Sequence, residues 1–177
     1  MEKISKNIFL IGMMGSWKST VGKKIAKSLN YNFIDTDDYI EDLFGMSISQ
    51  IFETKGENEF RKIESRVFIE KCKEKKHLIA TGGGIVIKRE NREALKNDGI
   101  TLLLKAKPET LSIRIKNTNK RPLLNGNDSL FRLSQIWKKR KIYYENAAHI
   151  TIETDKFSSN QVAKMVIKEL DSKYAIN

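Results

Sequence analysis

The chain has 177 residues, with 33 Lys+Arg against 22 Asp+Glu and a formal net charge of +11. That length suits one domain over 1–177, burying about two thirds of its unfolded surface, and the single cysteine, Cys72, excludes an intramolecular disulfide or a cysteine-rich metal site. The positive balance suits an anionic ligand such as a nucleotide, a sugar acid or nucleic acid, and selects none of them.

The opening residues lack the apolar core and cleavage site of a signal peptide, and no run approaches membrane-spanning length, so a cytoplasmic protein is expected. The first strand is expected at Ile8 to Ile11. It leads into Gly12-Met-Met-Gly15-Ser16-Trp17-Lys18-Ser19-Thr20 and then a helical period of Val21, Ile25 and Leu29. This is the setting and spacing of a phosphate-binding loop, except that Trp17 stands where the pattern has its last glycine. A turn from Gly12 through Gly15 and Ser16 aims backbone N–H groups at phosphate oxygens, and the helix N-terminus adds partial positive charge. Lys18 would reach the terminal phosphates of a nucleotide and the Ser19 hydroxyl would ligate Mg2+, while Thr20 packs or caps beside them. A plain strand-to-helix turn with a solvated lysine is the alternative.

The second strand, Asn32 to Ile34, ends in Asp35-Thr36-Asp37-Asp38. Strand alternation would point Asp35 and Asp37 to one side, one toward Mg2+ and one toward a substrate hydroxyl. Asp38 suits an acidic helix start. Ser47-Ile-Ser-Gln50 has capping-box spacing, and Phe52 through Glu64 contains Gly56-Glu-Asn-Glu-Phe60-Arg61-Lys-Ile-Glu64. The third strand, His77 to Ala80, ends in Thr81-Gly82-Gly83-Gly84, where absent side chains let a ligand approach the backbone. A loose connecting loop is the bland reading of those glycines.

Further strands are expected at Ile100 to Leu104 and Ile150 to Ile152. Pro108 and Glu109 sit in a first helical turn, and Ser158 or Ser159 starts the last helix. The polar segment from Asn117 to Ser129, with Arg121, reads as a mobile loop able to close over a phosphoryl-transfer site. Lys138-Lys-Arg-Lys141, beside Trp137, Tyr143 and Tyr144, reads as a solvated helix face before a nucleic-acid patch. His77 and His149 read as structural, and Cys72 as a small buried residue. Strands alternating with helices argue for a parallel sheet covered on both faces, with ligands at the carboxyl ends of the strands.

These motifs together resemble the shikimate kinase family, from the glycine loop through Asp35-Thr36-Asp37, Gly45-Met-Ser-Ile-Ser-Gln-Ile-Phe52, Gly56-Glu-x-x-Phe60-Arg61-x-x-Glu64 and Thr81-Gly82-Gly83-Gly84 to Arg121-Pro122-Leu123-Leu124 and Arg140-x-x-x-Tyr144. The resemblance implies a three-layer α/β/α P-loop kinase fold. Its five-stranded parallel sheet would run in the order 2-3-1-4-5, with a shikimate-binding segment at about 36–64 and a lid at about 117–129. It implies ATP-dependent phosphorylation of the shikimate 3-hydroxyl with Mg2+, in the pathway to chorismate and the aromatic amino acids.

By the same resemblance Lys18, Asp37 and Arg121 are catalytic. Gly12, Gly15, Ser16, Trp17, Lys18, Ser19, Thr20, Arg114 and Arg121 contact the nucleotide, with Arg114 against adenine. Ser19 and Asp35 hold the metal. Asp37, Phe52, Phe60, Arg61, Gly82, Gly83, Gly84 and Arg140 form the shikimate site, the two arginines on its carboxylate. Small-molecule partners only and a monomer are expected, with no nucleic acid and no membrane. Trp17 leaves three outcomes open: a ring turned outward, weakened nucleotide binding, or a blocked site. A gluconate kinase and a catalytically silent relative are the competing functions.

Overall fold

The computed structural model describes residues 6–116 and 129–175. Five parallel strands form one sheet in the order β2-β3-β1-β4-β5, with β1 at Asn7–Ile11, β2 at Asn32–Asp35, β3 at His77–Ala80, β4 at Gly99–Lys105 and β5 at Ile150–Glu153. The order is the one the family resemblance implies, and the apolar runs are those expected from the sequence. All five residues of β1 are buried, as are the first six of β4, because a parallel sheet with helices on both faces leaves its central strands no solvent side.

The pleat divides that apolar content between two cores. Ile8 and Leu10 of β1, with Ile100, Leu102 and Leu104 of β4, join a cluster with Val21, Ile25, Val162, Val166 and Leu170. The last five come from α1 (Lys18–Leu29) and α7 (Ser159–Tyr174). Phe9 and Ile11 face the opposite way, with Phe68, Ile79, Leu103, Leu133 and Tyr144. That face is covered by α3 (Ile48–Cys72), α4 (Arg89–Asn97), α5 (Pro108–Lys116) and α6 (Ser129–Ala147).

Local chemistry fixes the helix starts. Ser47 caps α3 and Ser158 caps α7, each in a complete capping box with Gln50 and Gln161. Pro108 opens α5. Inside α3, Gly56 breaks the helical path at φ 78°, ψ 164°, so the segment before it turns back over α2 (Thr36–Phe44). A third apolar cluster of Ile40, Ile51, Phe60 and Val67 holds that turn together.

Asp37 departs from the strand expectation. β2 ends at Asp35, which becomes the N-cap of α2 by accepting the Asp37 N–H at 3.0 Å. Asp37 therefore sits in the first helical turn, where an acidic side chain meets the positive end of the dipole. The expected lid and its Arg121 lie outside the described residues, apart from Ser129, the first residue of α6. Among the described residues no helix is long and apolar enough to cross a membrane.

Candidate active site

From β1 the chain crosses β3 to reach β2 at the sheet edge, and from β3 it crosses β1 the other way to reach β4, so the connections leaving the neighbours β1 and β3 diverge and open a switch point at their carboxyl ends, with the end of β2 alongside. The turn after β1 begins at Gly12, whose φ is 145° and where a Cβ would lie 2.5 Å from the Leu104 carbonyl oxygen. No larger residue fits that bend. Lys18 opens α1 and is 8% exposed. Its ammonium is folded back on the loop, donating to the Gly12 carbonyl at 2.8 Å and the Met13 carbonyl at 2.9 Å. Ser16 is buried beside it, its hydroxyl 3.5 Å from Lys18 Nζ.

Trp17 holds the N-cap of α1 at φ 70°, ψ 19°. Left-handed backbone costs an L-residue roughly 1–2 kcal/mol, which is why the pattern favours glycine here. The loop thus keeps the shape of a phosphate cradle and bears the strain. The half-buried indole packs against the edge of the core. Arg114 of α5 stacks on it, with guanidinium carbon 3.4 Å from the ring centroid.

A cavity of about 410 Å3 opens in front of the loop, and its wall includes Gly15, Trp17, Lys18, Ser19, Thr20, Asp35, Asp37 and Arg114. Thr20, expected to pack or cap, is instead exposed on that wall. Gly12 and Ser16 lie beneath the loop as buried supports. The Ser19 hydroxyl meets the Asp35 carboxylate in a short hydrogen bond. A hydroxyl and a carboxylate at the wall of this cavity are hard oxygen donors of the kind Mg2+ accepts, with water and phosphate able to complete its shell. The described residues contain no group of three or more His, Cys, Asp or Glu suited to a metal, so an ion here would be shared with the nucleotide.

Asp37 links this cavity to a second group of side chains around the triple glycine. The Gly82 N–H donates to the buried Thr36 hydroxyl at 3.0 Å, holding the glycine run against α2. A Cβ on Gly82 would lie 2.7 Å from Asp37 Oδ1 and 2.5 Å from Glu64 Oε1, and one on Gly84 would collide with the Arg61 guanidinium. The glycines are absent side chains into which three charged groups have moved. Arg61 pairs with Glu64 at 2.7 Å and Glu57 at 3.3 Å, and its guanidinium lies 5.1 Å from the Phe60 ring centre and 5.7 Å from that of Phe52. The Phe52 and Phe60 rings are 4.5 Å apart. From α6, Arg140 donates to the Gly83 carbonyl at 3.0 Å, and Tyr144, one turn on, donates to the same oxygen.

Glu64 is 1% exposed. Burial pushes its carboxyl above the usual range, with the Arg61 guanidinium pulling the other way and Asp37 adding to the rise. Its Oε1 and Arg61 Nε are buried without a hydrogen-bond partner. Burial likewise raises the Tyr144 phenol to about 12, which keeps it a donor. Neither Glu64 nor Tyr144 was among the expected site residues, although Arg61/Glu64 and Arg140/Tyr144 have the spacings that put side chains on one helix face.

Of the remaining expectations, only Arg114 lies on the cavity wall. Arg114, expected against adenine, carries the indole on one face, and Thr154 fixes its edge. Cys72 is half-buried, and burial pushes its thiol up to about 12, which leaves it inert. His149 accepts the Thr101 N–H at 3.0 Å, and His77 lies 3.0 Å from Glu74, so both act structurally. Lys138 and Lys139 are exposed, whereas Arg140 in the same run turns inward to the glycines.

The shikimate kinase family model matches residues 14–171. The shikimate kinase of Caldanaerobacter subterraneus subsp. tengcongensis is 43% identical over 92% of this chain and 95% of its own length, and that of Thermodesulfovibrio yellowstonii is 41% identical over 94% and 95%. Among solved structures, the shikimate kinase of Acinetobacter baumannii in complex with shikimate superposes with a TM-score of 0.91 at 36% identity, covering 96% of this chain and 95% of that one. A gluconokinase from Sinorhizobium meliloti 1021 shares only the fold, with a TM-score of 0.59 at 16% identity over 98% and 96%. On the family match and these identities, the chain belongs to the shikimate kinase family of ATP- and Mg2+-dependent phosphotransferases.

Proposed function

We propose that the cavity at the glycine loop takes ATP, that the group around Gly82 to Gly84 takes shikimate, and that Asp37 stands between them as the residue facing the accepting hydroxyl. One observation carries this reading: the two half-sites meet at Asp37, which lines the nucleotide-sized cavity and touches the space above Gly82. A phosphoryl group need cross only that boundary.

Phosphoryl transfer asks the protein mainly for alignment and for positive charge around the moving group. Lys18 would exchange the Gly12 and Met13 carbonyls for phosphate oxygens, a short swing from its present seat. Ser19 and Asp35 would hold Mg2+, which neutralises phosphate charge when bound. Asp37 would orient the 3-hydroxyl and accept its proton. Arg61 and Arg140 would grip the carboxylate, each with a planar fork suited to two parallel bonds. Phe52 and Phe60 would wall the ring of the substrate, and the backbone of Gly82 and Gly83 would floor it. Arg121 is assigned to the transferred phosphoryl group on the family pattern alone. We assign the whole of 1–177 to one catalytic domain, with its substrate segment at about 36–64, acting as a cytoplasmic monomer without nucleic-acid partners.

Gluconate also carries a carboxylate, so the arginines alone do not choose between the acids; the 43% identity to a shikimate kinase against 16% to a gluconokinase favours shikimate. Calorimetric titration tests the choice: shikimate should bind and gluconate should bind at least tenfold more weakly, and a preference for gluconate would overturn the assignment.

A further inference from the structure

Trp17 and Arg114 form a single layered unit on the cavity wall. The indole rests against the edge of the core at α1 and carries the guanidinium over its ring, 3.4 Å from the centroid. The other side of the unit is anchored at the end of β5. Arg114 Nη1 donates to the Thr154 hydroxyl at 3.0 Å and Nη2 to the Thr154 carbonyl at 2.7 Å. Thr154 is itself fully buried and donates to the Lys105 carbonyl at 3.1 Å. The guanidinium plane is thus fixed by an aromatic face behind it and two hydrogen bonds at its edge. Lys18 and Ser19 follow Trp17 directly and line the same cavity.

We propose that Trp17 is a positioning residue for the nucleotide base: by backing Arg114 it presents the opposite guanidinium face as a rigid platform on which an aromatic base stacks. The proposal rests on the reading that this cavity takes ATP. A guanidinium is planar, weakly hydrated and stacks on aromatic faces, and a π-system on each side of it is favourable. At 3.4 Å nothing fits between the indole and the cation, so a base has only the far face to use. An unbacked arginine would have to lose its rotamer freedom on binding, whereas this one has lost it already. The tryptophan that strains the loop therefore serves the base end of the nucleotide, while Lys18 and Ser19 serve the phosphates.

Binding measurements on the intact chain separate these ends. ATP and inorganic tripolyphosphate, which has no base, are titrated into the wild type, Trp17→Gly, Trp17→Phe, Arg114→Ala and the Trp17→Gly/Arg114→Ala double variant, with folding checked by thermal denaturation. Trp17→Gly should weaken ATP roughly fivefold, as expected for loss of one cation–π support. Tripolyphosphate should bind Trp17→Gly as it binds the wild type, Trp17→Phe should keep most of the ATP affinity, and Trp17→Gly should have no further effect where Arg114 is already alanine. Unchanged or tighter ATP binding in Trp17→Gly overturns the proposal, as do equal losses of ATP and tripolyphosphate or simple addition of the two single effects. A wild type that binds neither probe would instead remove the ATP reading beneath it.

Discussion

The Asp37 carboxylate occupies the space that a side chain on Gly82 would need: a Cβ there would lie 2.7 Å from Asp37 Oδ1. Glu64 Oε1 crowds the same point at 2.5 Å. The triple glycine is therefore a socket for carboxylates and arginines from α2, α3 and α6, more than a flexible link. Replacing Gly82 by alanine should push Asp37 out of line, lowering shikimate affinity by more than tenfold while ATP affinity stays within about threefold. Overpacking of this kind also costs about 1–3 kcal/mol of stability. Calorimetry with each ligand and urea denaturation read the two effects, and undiminished shikimate binding would contradict the arrangement.

Arg140 and Tyr144 share one acceptor, the Gly83 carbonyl. With Arg140→Ala the tyrosine still holds the glycine loop, so the loss should fall on the ligand. A charge-assisted contact is worth about 1.5–3 kcal/mol, so shikimate binding should weaken by one to two orders of magnitude and ATP binding hardly at all. Equal losses for both ligands would remove Arg140 from the carboxylate.

Glu64 gives the site a pH signature. Its folded carboxyl titrates above the unfolded value because burial outweighs the pull of Arg61. A raised acid gives stability that is present at pH below the unfolded carboxylate range and is lost as pH rises through the folded value. Glu64→Gln mimics the protonated side chain, so it should be closest to the wild type at acid pH and gain on it as pH rises above the unfolded carboxylate range. Urea midpoints from acid to neutral pH measure the difference. The same variant should lose shikimate affinity at neutral pH, since Arg61 then lacks its buried anion; stability and binding would move in opposite directions. A wild type that gains on the variant as pH rises would show that Glu64 is stabilised as the anion.

Much of the fold was legible because the central strands β1 and β4 are apolar runs with no solvent face, and Ser47, Pro108 and Ser158 mark helix starts by their own chemistry. The candidate site was legible as a set of residues and less so as a geometry. Alternation along β2 placed Asp35 and Asp37 together for the wrong reason. The Asp35 side chain ends the strand by capping α2, and the two carboxylates share the cavity from either side of that boundary. Glu64 was invisible as a buried group because its burial depends on Arg61 lying over Gly84, a contact between α3 and the loop after β3. The Trp17/Arg114 stack joins the start of α1 to the last turn of α5, and no local pattern announces it. Asn7 is similar: it sits on β1 among apolar residues, yet donates to the Cys72 and Glu74 carbonyls and accepts from the His77 N–H, tying the end of α3 to β3.

The central claim is that a loop with tryptophan in the glycine position still serves an ATP-dependent transfer to the acid held at Gly82 to Gly84. The direct measurement is product formation by the purified protein with ATP, Mg2+ and shikimate, followed by phosphorus NMR, beside Lys18→Ala. The account predicts a new phosphate ester at the 3-hydroxyl formed at one equivalent per ADP released. Lys18→Ala should make none while still binding shikimate in calorimetry. ADP release without a shikimate ester, or no turnover at all by the folded wild type, would contradict it.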